Sequence, residues 1–142
     1  MVGFDHEKLD VYQASLEFVA YLANLLQESK GEHRHARDQL LRSGQSIPLN
    51  IAEGNGKHSV RDRRRFFEIA RGSAMDSAAT LDVLVASGAC TRARVEPGKT
   101  LLLRIVSMLS RMVESGADRA REPEETYAVD PKRGGPGGAD EA

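Results

Sequence analysis

The chain has few of the features that usually mark chemistry. It has one cysteine, Cys90, which excludes an internal disulfide framework. No apolar run is long enough to span a bilayer, and the first residues lack a basic-then-apolar signal pattern. A cytoplasmic protein with no membrane contact is therefore expected. No stretch alternates apolar and polar residues long enough to make a strand. The four histidines are His6, His33, His35 and His58, and no two sit three or four residues apart on one helix, so no zinc set is expected. Glu32 and His35 have the spacing of a di-iron ligand pair, but a di-iron bundle needs that pair on two helices. Gly54-Asn55-Gly56-Lys57 resembles a phosphate loop only superficially, without its preceding strand or its second half. No serine, histidine and acid follow a known nucleophile arrangement. No active-site role can be assigned, so a non-enzymatic protein without metal or cofactor is expected.

What is present is helical rhythm. The 142 residues suit one domain. Helix 1 is expected from about Lys8 to Ser29. Leu9, Tyr12, Leu16, Val19, Ala23 and Leu26 form one apolar stripe; Val11, Phe18, Leu22 and Leu25 form a second. A surface helix needs only one stripe. Two imply either a central helix or a subunit contact, and a four-helix bundle has no central helix. Val11, Phe18, Leu22 and Leu25 are thus the expected oligomer interface. Helix 2 is expected from His33 to Glu53. Helix 3 starts after Ser59, with Asp62 three residues on as a capping-box variant, and stops at Gly88. Its apolar face is Phe66, Phe67, Ala70, Ala74, Ala78, Leu81, Leu84 and Val85. Helix 4 spans about Thr91 to Ser115; it either begins at Pro97 or passes through it. Its apolar face includes Leu101, Leu102, Ile105, Leu109 and Val113. Residues 1–116 form the body. Residues 117–142, with Arg133-Gly134-Gly135-Pro136-Gly137-Gly138, bury too little to offset chain entropy and are expected to be a disordered acidic tail.

Pro48 is the most informative residue. Leu40, Ile47 and Ile51 keep one helical face through it, yet an interior proline costs roughly 3 kcal/mol. A helix that keeps it has a packing or functional reason. Asn50 is expected to satisfy backbone groups freed by Pro48, and Glu53 to pair with an arginine. The run Ser46-Ile47-Pro48-Leu49-Asn50-Ile51-Ala52-Glu53-Gly54 resembles the signature of the four-helix-bundle family of 23S rRNA intervening sequences. Leu9-Asp10-Val11-Tyr12-Gln13-Ala14 and Phe66-Phe67-Glu68-Ile69-Ala70-Arg71-Gly72-Ser73 resemble two further pieces, in the family's order, over about residues 4–115. Ser43-Gly44 departs from the family's alanine-like residues but keeps the side chains small. The resemblance implies an antiparallel up-down bundle that assembles as a homopentamer with a central channel. A more distant resemblance, to the accessory proteins of diversity-generating retroelements, implies RNA and a reverse transcriptase as partners.

Charge is unevenly placed. Residues 1–115 carry 16 Lys and Arg against 14 Asp and Glu, a net +2, while residues 116–142 carry 4 against 7, a net −3. Within the body, Lys57, His58, Arg61, Arg63, Arg64, Arg65 and Arg71 cluster against only Asp62 and Glu68. Arg61, Arg64, Arg65 and Arg71 point broadly away from the apolar face, and Arg63 points toward the core edge. Cations at a helix N-terminus oppose the dipole, which asks for an anionic partner. Lys57, Arg61, Arg64, Arg65 and Arg71 are the expected nucleic-acid-binding set for RNA or DNA, acting through phosphates. Glu68 is expected to pair with Arg64 or Arg71. No aromatic residue interleaves with the exposed arginines, so base stacking is not indicated. A protein scaffold that docks an acidic partner is the alternative.

Overall fold

The computed structural model describes residues 3–27 and 31–121. Four α helices stand there: α1 (Asp10–Leu26), α2 (Arg34–Asn55), α3 (Val60–Ala86) and α4 (Arg92–Arg121). Short 3-10 turns at Asp5–Lys8 and Gly31–His33 precede the first two. α2 packs on α3, α3 on α4, and α1 closes the ring between α2 and α4. Each neighbouring pair runs antiparallel. Ser43 and Ser46 of α2 meet Ser77 and Ser73 of α3 in reversed order. Arg71 and Asp82 of α3 likewise reach Ser110 and Lys99 of α4. The protein is an all-α up-down four-helix bundle.

Local chemistry explains the helix ends. Ser59 is extended and its hydroxyl accepts the Asp62 N–H at 3.1 Å, so α3 begins where the sequence predicts. At the other end Gly88 takes φ +83°, with Ala89 N–H donating to the Leu84 carbonyl and Gly88 N–H to that of Val85. This is a Schellman closure, which a residue bearing Cβ resists. α4 begins at Arg92, where the Thr91 hydroxyl accepts the Arg94 N–H, and Pro97 lies inside it. α4 also continues six residues past the predicted end at Ser115. Of the predicted tail, 122–142 lies outside the described residues.

Pro48 is buried inside α2, which runs on to Asn55. Ile47 and Ile51 flank it with no exposed surface, and burial of each stabilises the fold by roughly 1.5–3 kcal/mol. That is enough to offset the lost hydrogen bond. Asn50 does not serve the Gly44 carbonyl that Pro48 leaves unbonded. Its amide donates to the carbonyl and hydroxyl of Ser46, at 2.8 and 2.9 Å. Ser46 then meets Ser73 at 2.8 Å, and Ser43 meets Ser77 at 2.7 Å. Small side chains here let α2 and α3 approach closely, and paired hydroxyls keep the buried polar atoms satisfied.

The core corrects the reading of helix 1. Val11, Phe18, Leu22 and Leu25 are not a subunit contact; they are core residues of the single chain, Phe18 having no exposed surface. They pack with Leu40, Ile47, Leu102 and Ile105. The first stripe splits: Leu26 is buried and Tyr12 and Val19 are half-buried, while Leu16 is 39% exposed and Ala23 faces out. The second stripe takes the interior because α2 and α4 close over it. On α3, Phe66 is only half-buried, whereas Ser77 and Thr80 join the buried face.

Candidate nucleic-acid interface

The basic cluster sits where α2 turns into α3. The turn is short because α2 closes on Gly56, whose N–H donates to the carbonyls of Ala52 and Glu53. A Cβ on Gly54 would lie 2.8 Å from Phe67 Cε1 and 3.0 Å from Phe66 Cβ. Glycine therefore lets the end of α2 rest directly on the two phenylalanines that begin the hydrophobic face of α3.

Arg63 belongs to this turn. Its guanidinium donates to the Asn55 carbonyl at 2.8 Å and to the Lys57 carbonyl at 3.4 Å, and lies 5.7 Å from the Phe67 ring centroid. One cation at the start of α3 thus has an internal purpose, serving unpaired carbonyls at the negative end of α2. The anionic partner that the cluster invites need not answer for Arg63.

The remaining cations divide between two flanks of α3 instead of sharing one outward face. On the flank toward α2, Lys57 and Arg65 both lie against the Phe66 ring, at 5.2 and 4.8 Å from its centroid. Lys57 also pairs with Glu53 at 3.1 Å. Phe66 is thus an aromatic platform within the cluster, contrary to the expectation that none interleaves there. On the flank toward α4, Arg64 pairs with Glu68 at 3.5 Å, and Arg71 donates to the Ser110 hydroxyl at 3.3 Å. Of the two partners expected for Glu68, the structure selects Arg64; Glu53 takes a lysine rather than an arginine. Arg61 is exposed between the flanks. The ion pairs are solvent-exposed, and such pairs hold side chains only weakly, by about 0–1 kcal/mol. Both cations can exchange their carboxylate for another anion.

The fold adds one residue that spacing did not reveal. Antiparallel packing brings the C-terminal half of α4 alongside the N-terminal half of α3, so Arg111 shares a cavity of about 360 Å³ with Arg63 and Arg64. Arg111 makes no hydrogen bond or ion pair among the described residues. The only sequence signal was its distance along α4, which becomes meaningful once the helix pairing is known. Phe67, Met108 and Met112 line the same cavity, with Asp10 and Leu9 from the start of α1.

Among the described residues no three His, Cys, Asp or Glu side chains gather as metal ligands, and no helix is long and apolar enough to cross a membrane. The groups with shifted acidity lie at the other end of the bundle. Burial raises the Tyr21 phenol, helped by Cys90 and opposed by Arg94. Burial also raises the Cys90 thiol against the opposing pull of Arg94. A thiol held protonated is a poor nucleophile.

Geometry thus defines an antiparallel helical bundle with arginines from two helices gathered at one end. The chain belongs to the 23S rRNA-intervening sequence protein family, whose model matches residues 7–111. The crystal structure of a protein of unknown function from the S23 ribosomal protein family of Bacteroides thetaiotaomicron is similar. It shares 29% identity at a TM-score of 0.67, over 72% of this chain and 97% of that one. No curated protein matches the chain.

Proposed function

We propose that the protein is a non-enzymatic, oligomeric bundle that binds RNA through the arginine-bearing end of α3. The observation that supports this most is the meeting of Arg64 of α3 with Arg111 of α4 at one cavity, with Arg61, Arg65 and Arg71 elsewhere on the same half of α3 and Glu53, Asp62, Glu68 and Asp10 as the acids nearby. Such a surface neutralises several phosphates at once, a source of affinity independent of sequence. Repetition of the surface in an oligomer converts weak contacts into avidity when one strand spans several subunits. The family's name associates its members with rRNA genes, which agrees with RNA as the ligand.

With Val11, Phe18, Leu22 and Leu25 inside the core, self-association uses other surface. The outer groove between α3 and α4, about 530 Å³, is lined by Met75, Ala78, Ala79, Leu103 and Val106. Leu103 is 70% exposed and Met75 57%, more than a solitary surface needs. A second copy is the occupant proposed for it, in a ring that the family resemblance puts at five subunits. Leu103→Glu with Met75→Glu is expected to dissociate the assembly in light scattering while leaving the helical signal intact. A wild type that is monomeric at micromolar concentration refutes self-association.

The test of RNA binding is a salt titration. Affinity for single-stranded RNA should fall with a log–log slope of about 0.7 per neutralised phosphate. Changing Arg61, Arg64 and Arg65 together to Gln should weaken binding across sequences and flatten that slope. If the triple variant binds RNA as the wild type does, or neither binds at low salt, the RNA reading fails. The same titration with an acidic peptide then tests a scaffold that docks an acidic protein.

A further inference from the structure

We propose that the cavity at the arginine-bearing end receives one unstacked nucleobase of a single strand, with the adjoining phosphate on Arg64 and Arg111. The proposal rests on the RNA reading above and adds a specific pocket to it. Three features of the cavity point to a base. Its volume, about 360 Å³, lies at the small end of ligand cavities, roughly 300–1,000 Å³. Its lining is largely apolar, with Leu9, Val11, Val60, Phe67, Met108 and Met112, which a bare phosphate would leave unused. Its lining also carries Arg64 and Arg111, which an uncharged apolar ligand would leave unused.

The Arg63 guanidinium supplies the stacking surface. It is a planar group already fixed by two backbone carbonyls and backed by the Phe67 ring. Bases stack on guanidinium planes as they do on aromatic rings. Because Arg63 is ordered before binding, little side-chain entropy is lost when a base arrives. Asp10 narrows the chemistry further. Asp10 is among the residues that line the cavity, and a carboxylate accepts hydrogen bonds only. A fatty or aromatic acid would place its carboxylate on Arg64 and Arg111 but would leave the Asp10 acceptor without a donor. A base with N–H donors on its Watson–Crick edge, guanine above all, pairs with the carboxylate, while the two carbonyls of uracil face it unfavourably.

A duplex keeps its bases stacked and paired, so only a single strand can use the cavity. The expected preference for single strand over duplex at equal salt is about tenfold, within the range of one stacked base. The cavity carries two of the four methionines, Met108 and Met112, while Met75 lies on the outer groove. Methyl-labelled methionine in the full chain therefore reports occupancy directly. Guanosine monophosphate should shift the Met108 and Met112 signals through the ring current and leave Met75 unmoved; ribose 5-phosphate should shift none of them. Uridine monophosphate should bind more weakly than the guanosine form, and Asp10→Asn should narrow that gap. Met112→Trp, which fills the cavity, should remove the single-strand preference. Arg111→Gln, an exposed change that spares the core, should lower single-strand affinity severalfold if the tryptophan variant fails to fold.

Unmoved Met108 and Met112 signals at millimolar nucleotide, or equal affinity for single strand and duplex, would overturn the pocket. If salt-dependent binding persisted in that case, the electrostatic interface would stand without it. If neither polymer bound at low salt, the interface and the pocket would fall together.

Discussion

Two glycines give the sharpest test of how closely α2 and α3 approach, because the same substitution should act in opposite directions at them. Gly72 lies exposed in the middle of α3, and a Cβ built there meets nothing within 4 Å. Gly72→Ala gains helix propensity of about 1 kcal/mol with no steric cost. For a folded body near 115 residues, the usual unfolding entropy per residue converts this to a rise of about 4 °C in Tm. Gly54 is in the last turn of α2, and its Cβ would sit 2.8 Å from Phe67 Cε1 and 3.0 Å from Phe66 Cβ. Carbon atoms prefer about 3.5–4.0 Å. Neither neighbour yields easily: Phe66 Cβ is fixed to its backbone, and the Phe67 ring is held in the core. Overpacking of this kind costs about 1–3 kcal/mol, while the propensity gained in a terminal turn is below 1 kcal/mol. Gly54→Ala should therefore lose about 1–2 kcal/mol, and the two alanine variants should differ by about 2–3 kcal/mol. Urea unfolding followed by circular dichroism reads both. The midpoint should rise for Gly72→Ala and fall for Gly54→Ala, with the slope unchanged. A Gly54→Ala midpoint at or above wild type would refute close α2–α3 contact as the reason for glycine. A Gly72→Ala midpoint that fell would show that something covers this face of α3.

Three further outcomes follow from the packing. Phe18→Glu or Leu22→Glu should abolish folding rather than release soluble helical monomers, since each buries a carboxylate in a core with no cation to receive it; loss of the cooperative thermal transition checks this. Ser43→Ala should cost about 1–3 kcal/mol by leaving the Ser77 hydroxyl without its partner, and the double variant Ser43→Ala with Ser77→Ala should recover part of that loss in a double-mutant cycle. Burial raises Tyr21 above its ordinary value of 10.0, so the unfolded chain ionises first and stability should decline as pH rises from about 10 through the folded pKa. Tyr21→Phe should flatten that alkaline decline and, below it, cost about 1 kcal/mol for the bond to the Arg94 carbonyl; denaturant midpoints from pH 8 to 11 would show both effects.

Local chemistry was legible in the sequence, and the reason is that helix ends are decided by a few neighbouring residues. Ser59 with Asp62, Gly88, and the apolar rhythm that carries Pro48 inside α2 all act over one or two turns, and each appears where the spacing predicts. The same short-range information carried the family signature. Tertiary structure decided which of two apolar stripes on α1 faces inward. Periodicity records that a side is apolar, not which neighbour covers it, so Phe18 and Leu22 read as a subunit contact until α2 and α4 closed over them. It also settled the arginines. Arg63 was assigned its role by carbonyls at the end of another helix, and Arg111 joined the site across an antiparallel pair, forty-seven residues from Arg64. Charges so far apart in the chain act together only after the hydrophobic core has fixed the helix order. The sequence alone determined the helices and where they start, while α4 ran on past its expected end; the packing determined which of their residues share a surface.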